Sequence, residues 1–191
     1  MTRFALVLGL FLVCSAPLAS AQEMTLQLDL GQTRVEFTLG ATLHTVHGSF
    51  KLKRGEMRID PVSGRAAGEL IIDATSGDSG NGDRDGRMHK NILESGRYRE
   101  IRLTPDRFDG KLNFQGQSRL QLHGEFDIHG SQHEITLPVT VRIQQLQLEA
   151  DTEFAVPYQR WGMKNPSTFI LRVEDTVRIH IHAAGRLSPL Q

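Results

Sequence analysis

The sequence predicts an all-β protein, an antiparallel barrel of about eight strands with one short helix near residues 83–94. Three observations lead to this prediction. From residue 24 onward apolar and polar residues alternate along most of the chain. Glycine and aspartate residues separate the alternating runs, and one polar, glycine-rich segment over residues 76–95 interrupts them.

The alternating runs are the predicted strands. Successive side chains of a strand point to opposite faces, so strict alternation places the apolar side chains on one face. Strands with one dry face bury it, and lose their exposed edges, when the sheet closes into a barrel. The runs cover residues 24–30, 35–39, 46–52, 120–128, 135–143, 154–158, 169–173 and 177–181.

Short turns are predicted where glycine follows a polar residue. Asp109-Gly110 and His129-Gly130 are such pairs, and Asp60-Pro61 precedes Gly64. Glycine, asparagine and aspartate tolerate the positive φ that tight hairpins need. Short connections between consecutive strands favour an antiparallel order.

The interrupting segment predicts a flexible loop followed by the short helix. Met88, Ile92 and Leu93 occur at helical spacing, and Asp83 is the predicted cap at the helix start. A helix at this position would cover one mouth of the barrel.

The N-terminus predicts a secretory signal peptide over residues 1–21. A basic start is followed by an apolar run over residues 4–13, by Pro17 and by the small residues 19–21. Ten apolar residues form a helix of about 15 Å, too short for a hydrocarbon core of about 30 Å. We therefore expect export to the periplasm, no membrane segment after cleavage, and one domain over residues 22–191. The single cysteine, Cys14, lies in the leader, so the mature chain has no disulfide.

Charge and motifs exclude several functions. Basic and acidic side chains balance at 22 each, so no basic field exists to attract nucleic acid. The serines lack a nucleophile elbow, and the sequence therefore predicts no enzyme. His180 and His182 lie two apart on a predicted strand and point to one face, which leaves a histidine-dependent metal binder as an alternative.

Several motifs, in this order and spacing, resemble the YceI-like family of bacterial periplasmic proteins, which are lipocalin-like barrels associated with polyisoprenoid lipids. The resemblance covers roughly residues 28–184. The matching positions are Asp29, residues 35–37, residues 45–50, residues 72–76, Arg84-Asp85, Met88, residues 93–95, Tyr98, residues 124–130 and residues 137–139.

The resemblance implies a lipocalin-like barrel with an elongated apolar cavity for an isoprenoid chain, such as a quinone tail or a polyprenyl carrier. No cofactor other than such a lipid is expected, and family analogy implies a homodimer. A ligand-free barrel filled with side chains, acting as a stress-related envelope protein, stays open as an alternative. Aromatic and aliphatic residues on the apolar faces are the predicted ligand contacts, with Trp161 and Met163 at the mouth. These residues are Val35, Phe37, Leu39, Phe50, Leu93, Leu122, Phe126, Phe154, Trp161, Met163, Phe169 and Leu171.

Overall fold

Within residues 22–42, 44–168 and 172–190, which the computed structural model describes, nine antiparallel strands form one sheet that closes on itself. One short helical segment lies between the fourth and fifth strands, so the predicted barrel with a short helix is confirmed. The predicted signal peptide, residues 1–21, lies outside the described residues. The strands are β1 (Met24–Leu28), β2 (Arg34–Gly40), β3 (Thr45–Ile59), β4 (Ala66–Asp78), β5 (Glu100–Asp109), β6 (Gly116–Ile128), β7 (Ser131–Gln144), β8 (Gln147–Val156) and β9 (Val177–Pro189).

The nine described strands occupy eight positions in the barrel wall. β1 and β2 both pair with β3 and with β9, at opposite ends of these long strands. The two short strands therefore lie in line between the same two neighbours. Pairing of β3 with β4 closes the order β3-β2-β9-β8-β7-β6-β5-β4. About eight strands leave an interior just wide enough for side chains or for one small ligand.

Asp29 forms the turn that separates β1 from β2. Its carboxylate accepts hydrogen bonds from the backbone N–H groups of Gly31 (2.8 Å) and Gln32 (3.2 Å), and from the Gln32 side chain (2.7 Å). These hydrogen bonds, led by that of Gly31, hold the pKa of the Asp29 carboxyl below its usual value. The backbone N–H of Asp29 donates to the Ala184 carbonyl of β9 at 2.8 Å, so the wall stays joined across the break.

Alternation alone did not predict β4 and β5, because both strands contain irregular pairing. β4 shifts register twice against β3, and three consecutive residues, Leu70, Ile71 and Ile72, are buried. β5 shifts register against β6 between Pro105 and Arg107. An extra residue at a bulge locally disrupts the ladder, so a strict period of two no longer runs through the strand.

The strand predicted over residues 169–173 lies mostly outside the described residues, which leave out 169–171. Val173 pairs with Ala41 as an isolated bridge next to β2. Pairing of β4 with β3 and with β5 completes the closed ring.

The predicted turns are confirmed. Gly64 has φ of 73° and donates to the Asp60 carbonyl at 2.9 Å, and Gly110 has φ of 115°. His129 and Gly130, both with positive φ, join β6 to β7 as a two-residue hairpin. A second hairpin with two positive φ values joins β7 to β8 through Gln145 and Leu146, residue types that do not indicate such a turn.

The helical segment consists of α1 (Gly82–Arg87) and a π turn (Met88–Ile92) that continues it. Its cap is Asn81 and not Asp83, as the sequence had suggested. Asn81 has extended backbone geometry, and its side-chain oxygen accepts from the Arg84 N–H at 3.0 Å, whereas Asp83 falls inside the first turn. None of the helices in the described ranges has the length and apolar character needed to cross a membrane.

One end of the barrel, which we call the packed end, is filled with side chains. It carries the β3–β4, β5–β6 and β7–β8 turns. Leu26, Met57, Ile143, Leu148 and Leu187 are buried there in one cluster. None of the five lines the apolar cavity at the other end, so the packing of this half does not depend on a ligand there.

We predict that Ile143→Ala lowers the free energy of unfolding by about 2–5 kcal/mol, because it leaves a void in a rigid, fully buried site. Val62→Ala, in a turn of the same end and 79% exposed, is the matched control and should change stability by less than about 0.5 kcal/mol. Chemical denaturation measures both. Equal effects of the two substitutions would contradict a tightly packed end.

Candidate ligand-binding cavity

The other end of the barrel, which we call the cavity end, encloses an apolar cavity of about 300 Å³. This end carries the β2–β3 turn, the helical segment, the β6–β7 hairpin and the loop between β8 and β9. Strands β2, β3, β6, β8 and β9 supply most of the wall, and the helical segment covers one side of the mouth. The barrel interior is thus divided into a packed half and an open half.

Most of the predicted ligand contacts line this cavity. They come from four strands, from the residue after the π turn and from the β8–β9 loop, so the closed sheet brings together residues distant in sequence. The lining residues from the predicted set are Val35, Phe37, Leu39, Phe50, Leu93, Phe126, Phe154 and Met163. Their contact with a ligand stays a prediction.

Two of the predicted contacts, Leu122 and Trp161, do not line the cavity, and two others cannot be placed in it or out of it. Leu122 faces inward but lies nearer the packed end, opposite Phe108 and Leu137, where its side chain adds to the core. Trp161 packs against His133 and Phe126 on the inner side of the sheet but does not line the cavity. Phe169 and Leu171 lie outside the described residues.

Trp161 supports the cavity wall from the β8–β9 loop. Its ring stacks on His133 with centroids 3.9 Å apart and planes 5° apart, and it lies 6.0 Å from the Phe126 ring. Phe126 in turn packs edge-on against Phe154 at 5.8 Å. Trp161 therefore fixes the position of a lining aromatic without bordering the cavity itself.

Two glycines provide the room for the aromatic rings on the opposite side. Phe37 and Phe50 lie 5.4 Å apart. A Cβ on Gly48 would lie 2.3 Å from the Phe37 ring and 2.5 Å from the backbone oxygen of Asp78. A Cβ on Gly77 would lie 2.6 Å from the Phe50 ring. The rings thus pack closely against backbone that carries no side chain.

His89 ties the helical segment to the barrel. Its Nε2 lies 2.9 Å from the Gly77 carbonyl, and its Nδ1 lies 3.0 Å from the hydroxyl of buried Ser95. Because a carbonyl only accepts, Nε2 carries the proton, and in the neutral ring Nδ1 accepts from Ser95. The π turn widens the backbone here, with the Leu93 N–H donating to the Met88 carbonyl. Met88, Ile92 and Leu93 all border the cavity.

A polar rim borders the mouth, and the sequence analysis did not identify it as part of the site. The rim consists of His44, Ser79, Asn81, Arg84 and Arg87. The sequence pattern that indicates this rim is the three-residue spacing of the two arginines in a predicted helix, because residues at that spacing share one face. Their proximity to the cavity depends on how the segment docks, which no local pattern encodes.

Arg84 is held in place by Ser79. Its Nε donates to the Ser79 hydroxyl at 2.7 Å, and one terminal nitrogen donates to the Ser79 carbonyl at 2.7 Å. The Ser79 hydroxyl in turn bonds the Asp85 carboxylate, which also accepts from the Ser79 N–H at 3.0 Å. Arg84 and Asp85 are therefore linked through one serine.

Tyr158 anchors the β8–β9 loop beside the cavity. The side chain is buried, and its hydroxyl donates to the Glu174 carbonyl at 2.6 Å. Burial, with a smaller contribution from the Asp175 charge, raises the pKa of Tyr158 to about 12. The neutral phenol is thus the form that the fold stabilises.

The histidines proposed for a metal site lie on the outer face of the barrel. His180 Nδ1 is 3.3 Å from a Glu36 oxygen, and His182 Nδ1 is 2.9 Å from an Asp151 oxygen. Among the residues that the structure describes, no group of three or more histidine, cysteine or carboxylate side chains is arranged to hold a metal ion. The geometry here is that of histidine–carboxylate pairs at the protein surface.

Comparison with known proteins gives one family and several solved folds. The family profile described as YceI-like domain matches residues 26–184. No curated protein sequence shows significant similarity to the chain.

The similar solved structures cover most of the chain at low identity. BcnA of Burkholderia cenocepacia has a TM-score of 0.68 at 18% identity, over 82% of this chain and 98% of that one. A polyisoprenoid binding domain from Saccharophagus degradans, implicated in plant cell wall breakdown, has a TM-score of 0.68 at 17% identity, over 85% and 98%. The YCEI protein of Campylobacter jejuni has a TM-score of 0.52 at 11% identity, over 100% and 99%.

We predict that Gly48→Ala lowers the free energy of unfolding by about 1–3 kcal/mol, because the added methyl meets the Phe37 ring and the backbone of Asp78. Gly86→Ala is the matched control, since nothing lies within 4 Å of its added Cβ. In a helix this exchange should stabilise by up to about 1 kcal/mol. Denaturation curves measure both, and a stabilising Gly48→Ala would contradict the close approach.

The stability that Tyr158 contributes should depend on pH in the alkaline range. Its pKa is raised in the fold from 10.0, so the contribution is complete below pH 10 and is lost as pH rises towards about 12. We predict that Tyr158→Phe removes an ionisation step near pH 12 from the absorbance at 295 nm and flattens the loss of stability above pH 10. Rapid pH jumps, completed before unfolding, measure the first. A removed step centred at pH 10 would contradict the burial effect.

Proposed function

The chain belongs to the YceI-like family, and from this premise we propose that it is an exported lipid-binding protein of the periplasm. The proposed ligand is one isoprenoid-type chain, such as a quinone or a polyprenyl lipid, held in the cavity. The apolar tail would lie inside the open half of the barrel, and the head group would lie at the mouth. The proposed activity is sequestration or transport of this lipid and involves no bond-making step.

The observation that carries the proposal is the open half of the barrel. An unfilled apolar cavity costs stability, because the side chains that line it lose the packing contacts that a filled core would provide. A ligand that fills the cavity offsets this cost. The packed end supplies the stability that lets the other end stay open.

The chemistry of the wall favours an apolar chain. Aliphatic and aromatic side chains from seven strands face the cavity, and the polar groups are concentrated at the mouth. Burial of hydrocarbon contributes about 0.8 kcal/mol for each CH₂ removed from water. A chain of several isoprene units therefore offers ample gross driving force, which the ordering of the chain reduces.

A solved relative supports the ligand class. The domain from Saccharophagus degradans, which shares this fold, is described as a polyisoprenoid binding domain. We propose the same ligand class for this chain on the basis of its family and its apolar cavity. Export is proposed from the N-terminal sequence, whose apolar run and small residues have the layout of a signal peptide.

A cavity-filling substitution tests the proposal. Ile179 lines the middle of the cavity wall between Phe37 and Phe154. Ile179→Trp should occupy the open space and abolish lipid retention while the barrel stays folded. The matched control is Arg178→Trp, one residue earlier on the outer face, where Arg178 is exposed and pairs with Glu153.

The measurement is native mass spectrometry of protein exported to a bacterial periplasm and purified without detergent. We expect a discrete added mass, lost on organic extraction, for the wild type and for Arg178→Trp. Ile179→Trp should show the bare mass with an unchanged far-ultraviolet circular dichroism spectrum and a cooperative unfolding transition. A wild-type protein that carries no added mass, and binds none of a panel of quinones and polyprenyl phosphates, would refute the proposal.

A further inference from the structure

The charges at the cavity are all of one sign. Among the described residues that line it, the permanently charged side chains are Arg84 and Arg87, and none is a carboxylate. His44 lies on the same rim. The cavity is therefore an apolar space whose mouth carries cations.

Arg84 presents a fixed donor at this mouth. It is half-buried, and Ser79 holds its Nε and one terminal nitrogen. None of its hydrogen bonds within the described ranges uses the other terminal nitrogen. A guanidinium held in this way is already ordered, so a ligand that accepts from its remaining donors loses little side-chain entropy on binding.

Arg87 lies three residues later and thus on the same face of the segment. It is exposed and borders the cavity. Within the described part of the chain neither arginine forms an ion pair with a carboxylate. The two cations thus lie at the mouth without a direct anionic partner.

Three nearby carboxylates face other groups, and Asp83, in the first turn of α1, does not line the cavity. Asp85 accepts from the hydroxyl and the N–H of Ser79. Asp78 accepts from the Gly80 N–H at 2.7 Å. Glu174, on the far side of the mouth, lies against Gly40 and does not line the cavity. These groups reduce the positive potential but leave the lining itself cationic.

We propose that the bound lipid carries an anionic head group, a phosphate ester or a carboxylate, that binds at Arg84 and Arg87. This inference rests on the proposed lipid-binding function and narrows its ligand class. Arginine matches both anions, because its planar donors form two parallel hydrogen bonds to a pair of oxygens. A neutral head group such as a quinone ring would leave both guanidinium groups without a counter-charge.

Ligands with one tail and different head groups test the inference. Farnesyl phosphate, farnesoic acid and farnesol share the same fifteen-carbon chain, about the size of a small cavity ligand. Their affinities are measured by calorimetry on delipidated, refolded wild-type protein at low ionic strength. We expect at least one anionic ligand to bind about tenfold more tightly than farnesol, as charge-assisted hydrogen bonds imply. The stronger of the two anions identifies the head group, and added salt should reduce its advantage.

Arg87→Gln is the test variant, because Arg87 holds no other described part of the fold in place. It should reduce the advantage of the anionic ligand over farnesol by about threefold to tenfold and leave farnesol binding unchanged. Lys90→Gln, an exposed cation of the π turn that does not line the cavity, is the matched control and should change neither affinity. Arg84→Gln, checked for an unchanged melting temperature, is the second variant.

The outcomes separate the two proposals. Equal affinity for all three ligands would overturn the anionic head group and leave the lipid-binding function standing. Binding of none of them would overturn the lipid-binding function itself. An anionic preference that persists in both arginine variants would overturn the placement of the head group at this rim.

Discussion

Closure of the sheet at eight positions is the constraint on which the rest of the structure depends. β3 makes this closure, because its 15 residues are long enough to pair with β1 and β2 on one side and β4 on the other. Once the ring is closed, the interior has a fixed width that the chain cannot adjust. Each level of the barrel is then either filled by inward side chains or left open for a ligand. The residues at inward positions determine which of the two occurs.

The same strands build both ends of the barrel, but the interior is filled at one end and open at the other. At the packed end aliphatic side chains such as Ile143 and Leu187 are buried in one cluster and do not line the cavity. At the cavity end aromatic rings lie against the glycines Gly48 and Gly77, so large residues cover the wall without crossing the interior. The fold tolerates an apolar cavity because the well-packed core supplies the free energy of folding that the cavity loses.

The sequence predicted the regular strands and much of the cavity wall because both follow from local alternation. It did not predict β4 and β5, where bulges interrupt that alternation near Pro105 and along the β3 pairing. Eight of the twelve expected ligand contacts line the cavity. Leu122 does not, because position along the strand, which alternation leaves open, decides which half a residue enters. The rim arginines were missed because their role depends on the docking of the helical segment.

The same docking connects the apolar and charged parts of the site. His89 holds the segment between Gly77 and Ser95, which fixes Met88 over the cavity and, one turn earlier, Arg84 at its edge. Burial of a hydrocarbon tail is nearly indifferent to what the tail is attached to, so the wall alone gives affinity without much selectivity. Discrimination between lipids must come from the rim, where an unmatched head group leaves charged donors unpaired. In this barrel the strands therefore determine the affinity for a hydrocarbon tail, and the short helical segment determines which lipid head group is selected.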